Sequence, residues 1–287
     1  GAGAHTDAAL PCTGPEALGA QATTAAASSS SAGDGVDARL LNAVEAGDLA
    51  AVQAAVADGA SVRAQNRYGQ GPLHLACDKG HLDIAQWLHS AGAPLDATTN
   101  GGGTPLHNAC YNGHLGIAQW LHSAGASLNA ANNLGHTPLH DACYEGHLGI
   151  AQWLHSMCAS LDATDTQGWT PLQTACGRGH RDIAQWLHSS GASLNATSTS
   201  DGYTPLHNAC CQGRLEIAQW LCSAGADATL KTNGGETPAQ LLQRRARTLQ
   251  LDQQALRSTL ACLVRREQAQ GLLPNTIAPP PRRWRST

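Results

Sequence analysis

Phenylalanine is absent from this sequence of 287 residues, and aromatic side chains make up only 4% of it. A wide single core filled by large rings is therefore excluded. Hydrophobic residues nevertheless reach 42% of the chain, which is enough for a folded core. That core must be built mainly from alanine, leucine, isoleucine and tryptophan.

Charged residues are also scarce, at 13% of the chain, about half the usual share. This scarcity argues against a charge-rich disordered chain and against a coiled coil. The net charge of −4 combines two opposite regions. Residues 1–236 hold nineteen acidic and eight basic side chains, whereas nine arginines and two acids follow from Thr237 onward. The acidic region predicts a neutral to basic partner, because opposite charges speed association.

Long hydrophobic runs are missing as well. No stretch approaches the roughly 18 apolar residues of a membrane-spanning helix. The first residues carry neither the basic segment nor the apolar segment of a signal peptide. The sequence therefore predicts no membrane span and no secretion signal, and its start at Gly1 favours a fragment or a processed chain.

Internal repeats dominate what is present, and they are the primary indicator of architecture. The dipeptide Thr-Pro recurs at intervals of 33 or 34 residues, and the segment Ile-Ala-Gln-Trp-Leu recurs with the same spacing. The threonines of the dipeptide are Thr104, Thr137, Thr170, Thr204 and Thr237. The isoleucines of the segment are Ile84, Ile117, Ile150, Ile183 and Ile217.

Each repeat is predicted to contain two short helices and an extended excursion. Thr104-Pro105 is suited to open a helix, because threonine caps it and proline loses no hydrogen bond at the first position. Gly113 ends this helix, and a second helix runs from about 114 to 123 before Gly125 ends it. Residues 127–136 then carry the asparagines and glycine of a hairpin-like finger.

These motifs resemble the ankyrin repeat family, whose repeats combine Thr-Pro-Leu-His, Gly-His and a Gly-Ala segment ending in Asn. Here they are Thr104–His107, Gly113-His114 and Gly125–Asn129. The resemblance implies an all-α ankyrin-repeat solenoid with β-hairpin-like fingers, containing five internal repeats and two caps, over residues 37–268. Residues 1–36 are predicted to be a disordered leader rich in Ala, Ser and Gly, and residues 269–287 a disordered Pro/Arg-rich tail.

Histidine and cysteine occur in three copies of His-x2-Cys-x3-His, a spacing that zinc ligands also use. The copies are His74/Cys77/His81, His107/Cys110/His114 and His140/Cys143/His147. The family resemblance implies structural roles instead. The first histidine bonds to the Thr-Pro turn, the second braces the loop between helices, and the cysteine is a small buried residue. We therefore predict no metal and no cofactor.

The spacing of the repeated cysteines also predicts whether they form disulfides, and therefore in which redox compartment the protein lies. Packed helices lie about 8–10 Å apart, whereas a disulfide needs Cα atoms within about 7 Å, so equivalent cysteines of successive repeats are predicted to stay reduced. Reduced thiols favour an intracellular location, cytoplasmic or nuclear. Cys211 is expected to be the most accessible thiol. The repeated tryptophans are predicted to fill the core, and Cys158, which replaces a helix-ending glycine, to adopt a left-handed conformation.

Residues that differ between repeats are the candidates for function. The family resemblance implies that a partner meets the finger tips and the exposed face of each first helix. Tyrosine and tryptophan at such positions are typical of interface hot spots. The predicted contact residues are Asp78, Lys79, Tyr111, His136, Asp141, Tyr144, Glu145, Trp169, Arg178 and Tyr203.

The predicted function is a non-catalytic scaffold that binds another protein through its concave face. No phosphate-binding loop, nucleophile elbow or acidic pair indicates an enzyme, and no small-molecule substrate is expected. One alternative is a regulatory segment of a larger enzyme or channel. Another is binding of nucleic acid, which is disfavoured, or of another acidic surface through Arg282–Arg285. Asn129 and Asn195 resemble asparaginyl hydroxylase substrates, and Ser286 suits a basophilic kinase.

Overall fold

The computed structural model describes residues 32–271, and within that range it contains fourteen α-helices and no strand. The helices follow one another in seven pairs, which confirms the predicted repeat of two helices. They are α1 (Ala32–Ala46), α2 (Leu49–Ala57), α3 (Pro72–Lys79), α4 (Leu82–Ser90), α5 (Pro105–Tyr111), α6 (Leu115–Ser123), α7 (Pro138–Glu145), α8 (Leu148–Ser156), α9 (Pro171–Arg178), α10 (Arg181–Ser189), α11 (Pro205–Cys211), α12 (Leu215–Ala224), α13 (Pro238–Leu249) and α14 (Gln253–Ala269).

The chain divides into two compact units at Ala192 and Ser193. The N-terminal body holds α1–α10, and the C-terminal body holds α11–α14. Helix α1 begins at Ala32, five residues before the predicted start of the array. Most of the predicted leader and nearly all of the predicted tail, including Arg282–Arg285, lie outside the described residues.

Each Thr-Pro-Leu-His motif starts a helix through its histidine. In α5 the Thr104 N–H donates to His107 Nδ1 at 3.1 Å, which leaves the proton on Nε2. Nε2 then donates to the carbonyl oxygen of His136 in the next finger, at 3.0 Å. His74 and His140 make the same pair of bonds in the N-terminal body, as His207 does in the C-terminal body. The predicted role of the first histidine is confirmed, and one ring joins two repeats.

The second histidine links repeats at the other end of the first helix. His114 Nε2 lies 3.1 Å from the carbonyl oxygen of Asp78, and His147 Nε2 lies 2.9 Å from that of Tyr111. Gly80, with φ of 84°, lies under the His114 ring, and a Cβ there would come within 2.7 Å of that ring. The bracing role is therefore also confirmed, and it requires glycine beneath the ring.

The core consists of leucine, isoleucine, alanine and cysteine. The five repeated cysteines are fully buried, as predicted, and burial raises the pKa of each thiol. Cys211 is also buried, with 1% of its surface exposed, so the prediction that it is the most accessible thiol is wrong. Cys211 is the last residue of α11, and this end of the helix is buried. Cys158 is exposed instead.

The repeated tryptophans do not fill the core, contrary to prediction. In α4, Ile84, Ala85 and Leu88 face inward, and Trp87 lies at the edge of that face, half-exposed. Successive repeats place a histidine edge-on against a tryptophan, with ring centres 5.9–6.0 Å apart. The pairs are His89–Trp120, His122–Trp153 and His155–Trp186. The indoles therefore contact the adjacent repeat at its surface.

Cys158 follows α8 with φ of 64°, which confirms the predicted left-handed conformation. Gly125 holds the same position in the preceding repeat, with φ of 107° and no atom within 4 Å of an added Cβ. Left-handed backbone costs a non-glycine residue roughly 1–2 kcal/mol. Because space is open at Gly125, the cost of a side chain there is conformational.

We expect Cys158→Gly to raise the free energy of unfolding by about 1 kcal/mol, because glycine relieves the left-handed strain. Urea unfolding followed by circular dichroism measures this change. Gly125→Ala is the matched reverse variant and should lower stability by a similar amount. If Cys158→Gly left stability unchanged while Gly125→Ala lowered it, strain at Cys158 would be disproved.

Replacing His107 tests the link between repeats. His107→Ala removes bonds to two repeats and leaves a buried cavity, so it should cost about 2–4 kcal/mol of unfolding free energy. His107→Gln should cost less, about 1 kcal/mol, because Gln173 at the same place in α9 accepts from the Thr170 N–H at 2.9 Å. Equal losses in the two variants, measured by urea unfolding, would argue against this role of the bond to Thr104.

Candidate partner-binding surface

Two tyrosines from successive repeats stack on the N-terminal body. Tyr111 ends α5, and Tyr144 occupies the same position in α7, which packs beside it. Their ring centres lie 6.2 Å apart and their planes differ by 25°. In α9 this position is Gly177, and the guanidinium carbon of Arg178 lies 3.9 Å from the centre of the Tyr144 ring. The result is a continuous ladder of two rings and one guanidinium.

Charged side chains flank this ladder. Asp78 contacts Lys79 Nζ at 3.0 Å and accepts from the Asn112 amide at 3.0 Å. Burial and a hydrogen bond to Glu145 raise the pKa of Tyr111, so its hydroxyl stays protonated and donates to that carboxylate. We name the group Asp78, Lys79, Tyr111, Tyr144, Glu145 and Arg178 the tyrosine surface.

The members of the tyrosine surface differ in exposure. Lys79 and Arg178 are exposed, whereas both tyrosines and Glu145 are half-buried. A stacked ring is already ordered before any partner arrives, so little conformational freedom remains to be lost on binding. The charges and the rings therefore form one preorganised patch from six predicted contact residues.

His136 and Asp141 do not belong to this patch. They are buried, with 8% and 7% of their surfaces exposed, so the expectation that they face solvent is wrong. The His136 ring lies between two carboxylates, 3.6 Å from Asp141 and 3.5 Å from Asp165. It also stacks on His140, with ring centres 5.5 Å apart. The finger folds this side chain inward because ion pairing offsets the cost of burial.

Electrostatics at His136 favour the charged ring. Burial opposes the charge, but the two carboxylates outweigh it and raise the pKa of His136 to about 9. The same contact lowers the pKa of Asp165, against the effect of its burial. Burial and the charge on His136 lower the pKa of His140 to about 4. A charged ring therefore stacks on a neutral one at neutral pH.

Sequence reasoning missed Asp165 as a member of this cluster. Its Oδ1 accepts from the backbone N–H groups of Gln167 and Trp169, each at 2.8 Å, and so shapes the finger turn. Asn132 shapes the preceding finger in the same way. The sequence did contain a signal for this cluster, because Asp165 is an acid at the position where the preceding finger has the amide Asn132.

Trp169 and Tyr203 lie apart from the tyrosine surface. Trp169 is half-buried in its finger, and its indole nitrogen is buried without a hydrogen-bond partner among the described residues. Tyr203 belongs to the C-terminal body, where its ring tilts over His207 at 5.8 Å. A contact role for these two residues stays a prediction.

The predicted modification sites have different settings. Asn129 and Asn195 are exposed, and the Asn195 side-chain oxygen accepts from the Asp227 N–H at 2.8 Å. Ser286 lies outside the described residues. Modification at all three sites stays a prediction.

The residues of the His-x2-Cys-x3-His motifs are engaged in separate contacts. His107 bonds to Thr104 at the start of its helix and to the next finger, Cys110 is fully buried, and His114 bonds to the preceding repeat. Across residues 32–271, no group of three or more His, Cys, Asp or Glu side chains is arranged to hold a metal ion.

The sequence profile described as ankyrin repeats (3 copies) matches residues 40–132, 92–165 and 139–232 of this chain. The chain belongs to the ankyrin repeat family. Its fold is similar to that of the human ASB11 ankyrin repeat domain, with a TM-score of 0.67 and 27% sequence identity. That likeness covers 78% of this chain and 96% of the ASB11 chain. No curated protein sequence matches the chain.

Ankyrin repeats are generally protein–protein interaction modules, and the fold is typically non-catalytic. Among the helices between residues 32 and 271, none combines the length and the apolarity needed to cross a membrane.

The His136 cluster predicts a pH dependence of stability. The pKa of His136 is about 9 in the folded chain, against 6.5 for an unperturbed histidine. Its contribution, up to about 3 kcal/mol, is therefore complete below pH 6.5 and lost as pH rises through 9. We expect the stability difference between the wild type and His136→Gln to shrink over this range, measured by urea unfolding at several pH values.

His207→Gln serves as the control for that series. Burial lowers the pKa of His207 to about 4, so its titration lies below pH 6.5. The difference between the wild type and this variant should stay constant from pH 6.5 to 9.5. A constant difference for His136→Gln as well would contradict a charged His136 in the folded protein.

Proposed function

We propose that this ankyrin array is a non-catalytic scaffold that binds another protein through the tyrosine surface of its N-terminal body. The observation that carries the proposal is the ladder of Tyr111, Tyr144 and Arg178, with ring centres 6.2 Å apart and the guanidinium 3.9 Å from the second ring. Tyrosine and arginine are enriched among the residues that dominate binding energy.

Preorganisation supports this surface as the binding site. Ordering a rotamer-rich side chain at an interface costs about 0.5–1.5 kcal/mol. Tyr111 is held by its stacking partner and by Glu145, and Tyr144 is held between Tyr111 and Arg178. Both side chains are therefore largely ordered in the unbound protein, so binding costs less conformational entropy. The ring edges remain available to a partner.

Charge supports a neutral to basic partner. Residues 32–192 carry thirteen acidic and six basic side chains. Salt screens exposed charges over about 8–10 Å, so binding driven partly by this acidity weakens as salt rises. The preference for a basic partner sets the rate of encounter more than the final affinity.

The chemistry of the array supports binding rather than catalysis. Its histidines recur along the chain in structural bonds, and burial raises the pKa of the repeated cysteine thiols, which makes them poor nucleophiles. We also propose an intracellular location, which suits reduced thiols. A regulatory role within a larger polypeptide and a binding role for the arginine-rich tail stay alternatives.

The test of this surface is the double variant Tyr111→Ala/Tyr144→Ala. Proteins captured by the wild-type chain are identified by mass spectrometry, and the affinity of each purified candidate is measured for both chains. Loss of two central rings should weaken a true partner at least about tenfold, since hot-spot truncations cost upward of 1–2 kcal/mol each. Far-ultraviolet circular dichroism checks that the helices are kept.

Tyr68→Ala is the matched control. Tyr68 is exposed to 46% at a finger tip outside the tyrosine surface, so its removal should leave affinity within about twofold, the scale of an energetically neutral contact. Affinity of the wild type should also fall as sodium chloride is raised. A partner that bound the double variant as tightly as the wild type would disprove the assigned surface.

A further inference from the structure

Helices α12 and α14 of the C-terminal body pack side by side in a register set by side chains. Near one end, Gln219 Nε2 donates to Thr259 Oγ1 at 2.9 Å. Toward the other end, Arg266 Nε donates to the carbonyl oxygen of Ala226 at 3.4 Å. Each contact joins residues forty positions apart, so the register is constant along the helix pair.

Cys222 and Cys262 lie between these two contacts and are also forty positions apart. Their thiols are hydrogen-bonded to each other. Cys222 is buried, with 3% of its surface exposed, whereas Cys262 is half-exposed. One sulfur of the pair is therefore shielded, and the other is open to a reagent in solution.

The buried side chains around this contact are small. Ala218 and Ala226 are fully buried one turn before and one turn after Cys222, and Thr259 is fully buried on the facing helix. The distance between packed helices depends on the side chains at the contact. Small residues permit the approach that a bond between two cysteines needs.

Comparison with the other repeats indicates that Cys222 replaces a repeated histidine. Cys222 occupies the position that is His89, His122 or His155 in α4, α6 and α8. There each histidine contacts a tryptophan of the next repeat. In α12 this position contacts Cys262 instead, so a contact between two thiols replaces the contact between a histidine and an indole.

A buried acid lies beside the thiols. Glu267 is 8% exposed, its Oε1 has no hydrogen-bond partner among the described residues, and its charge acts on Cys222. Its negative charge is one of the effects that raise the pKa of Cys222, so it helps to keep this thiol protonated in the resting protein.

We propose that Cys222 and Cys262 form a reversible disulfide whose co-reactant is a small-molecule disulfide such as oxidised glutathione. This inference does not depend on partner binding, because the pair lies in the C-terminal body and the tyrosine surface in the other. The bond ties α14 to α12 across the intervening finger and α13. The pair is thus a redox modification site that joins the last two helix pairs.

The reaction proceeds in two exchanges. The Cys262 thiolate attacks one sulfur of oxidised glutathione, forming a mixed disulfide and releasing one glutathione thiolate. Cys222 then loses its proton to the surrounding water and attacks the Cys262 sulfur, which releases the second glutathione. The two cysteines lose two electrons in total, and one glutathione disulfide becomes two glutathione molecules.

The order of attack follows from exposure and charge. Burial, together with the neighbouring Cys262, raises the pKa of Cys222 to about 12, so this thiol is protonated in the resting protein. The half-exposed Cys262 meets the reagent first. Cys222 acts second, because it is buried.

The test is peptide mapping of the full chain after incubation in glutathione buffers of increasing oxidised fraction. Free thiols are alkylated, and trypsin releases peptides 215–231 and 258–265, each with a single cysteine. We expect a linked pair, lighter than the sum of the two peptides by two hydrogen atoms. It should accumulate with the oxidised fraction and disappear when reductant is added. Separate peptides carrying glutathione, or no reaction at either cysteine, would overturn the proposal.

Stability provides a second readout. The disulfide should raise the midpoint of thermal unfolding of the C-terminal body by roughly 5 °C or more. Cys262→Ser should abolish both the linked peptide and this rise, whereas Cys158→Ser, which removes an exposed thiol of the other body, should change neither. A rise that persisted in Cys262→Ser, or vanished in Cys158→Ser, would assign the effect to another cysteine and exclude this pair.

Discussion

The ring of the histidine in the Pro-Leu-His motif, present in four of the repeats, provides the contact on which the array depends. One nitrogen of His107 accepts from the helix-starting threonine of its own repeat, and the other donates to the next finger at 3.0 Å. A neutral imidazole has one donor and one acceptor at fixed positions. It therefore sets the start of a helix and the position of the adjacent finger with one rigid group. Burial lowers the pKa of the equivalent rings of His74, His140 and His207, which favours the neutral form there.

Stacking by such local contacts explains the composition. Each repeat meets only its neighbours, so a thin core of leucine, alanine and cysteine suffices and phenylalanine is not needed. The scaffold also leaves the ends of the first helices free to vary. Stacking places Tyr111 and Tyr144 side by side, although they are 33 residues apart in the chain. The same stacking turns small differences between repeats into a continuous surface.

Much of this arrangement was predictable because its causes are local. Thr104 and Pro105 start a helix in almost any context, and the glycines at the helix ends need little more than their own backbone. The left-handed Cys158 followed from the glycine that it replaces in the repeat. The choice of Tyr111 and Tyr144 as candidate contact residues followed from periodicity together with the family resemblance, but their stacking did not. The exposure of single positions was not predictable in this way, as Trp87, His136 and Cys211 demonstrate.

The exposure of these three residues was predicted wrongly for one physical reason. Exposure depends on what the adjacent repeat or finger places opposite a side chain, and the spacing of motifs does not encode it. Asp165 draws His136 inward from another finger, at 3.5 Å, and the inner face of α4 leaves Trp87 at its edge. The sequence alone determined the family, the helix pairs and the roles of the repeated histidines, because these rest on short-range bonds within a periodic chain. Only the tertiary structure decided which charges are buried, which tyrosines join into one surface and which cysteines meet, because such contacts join residues tens of positions apart.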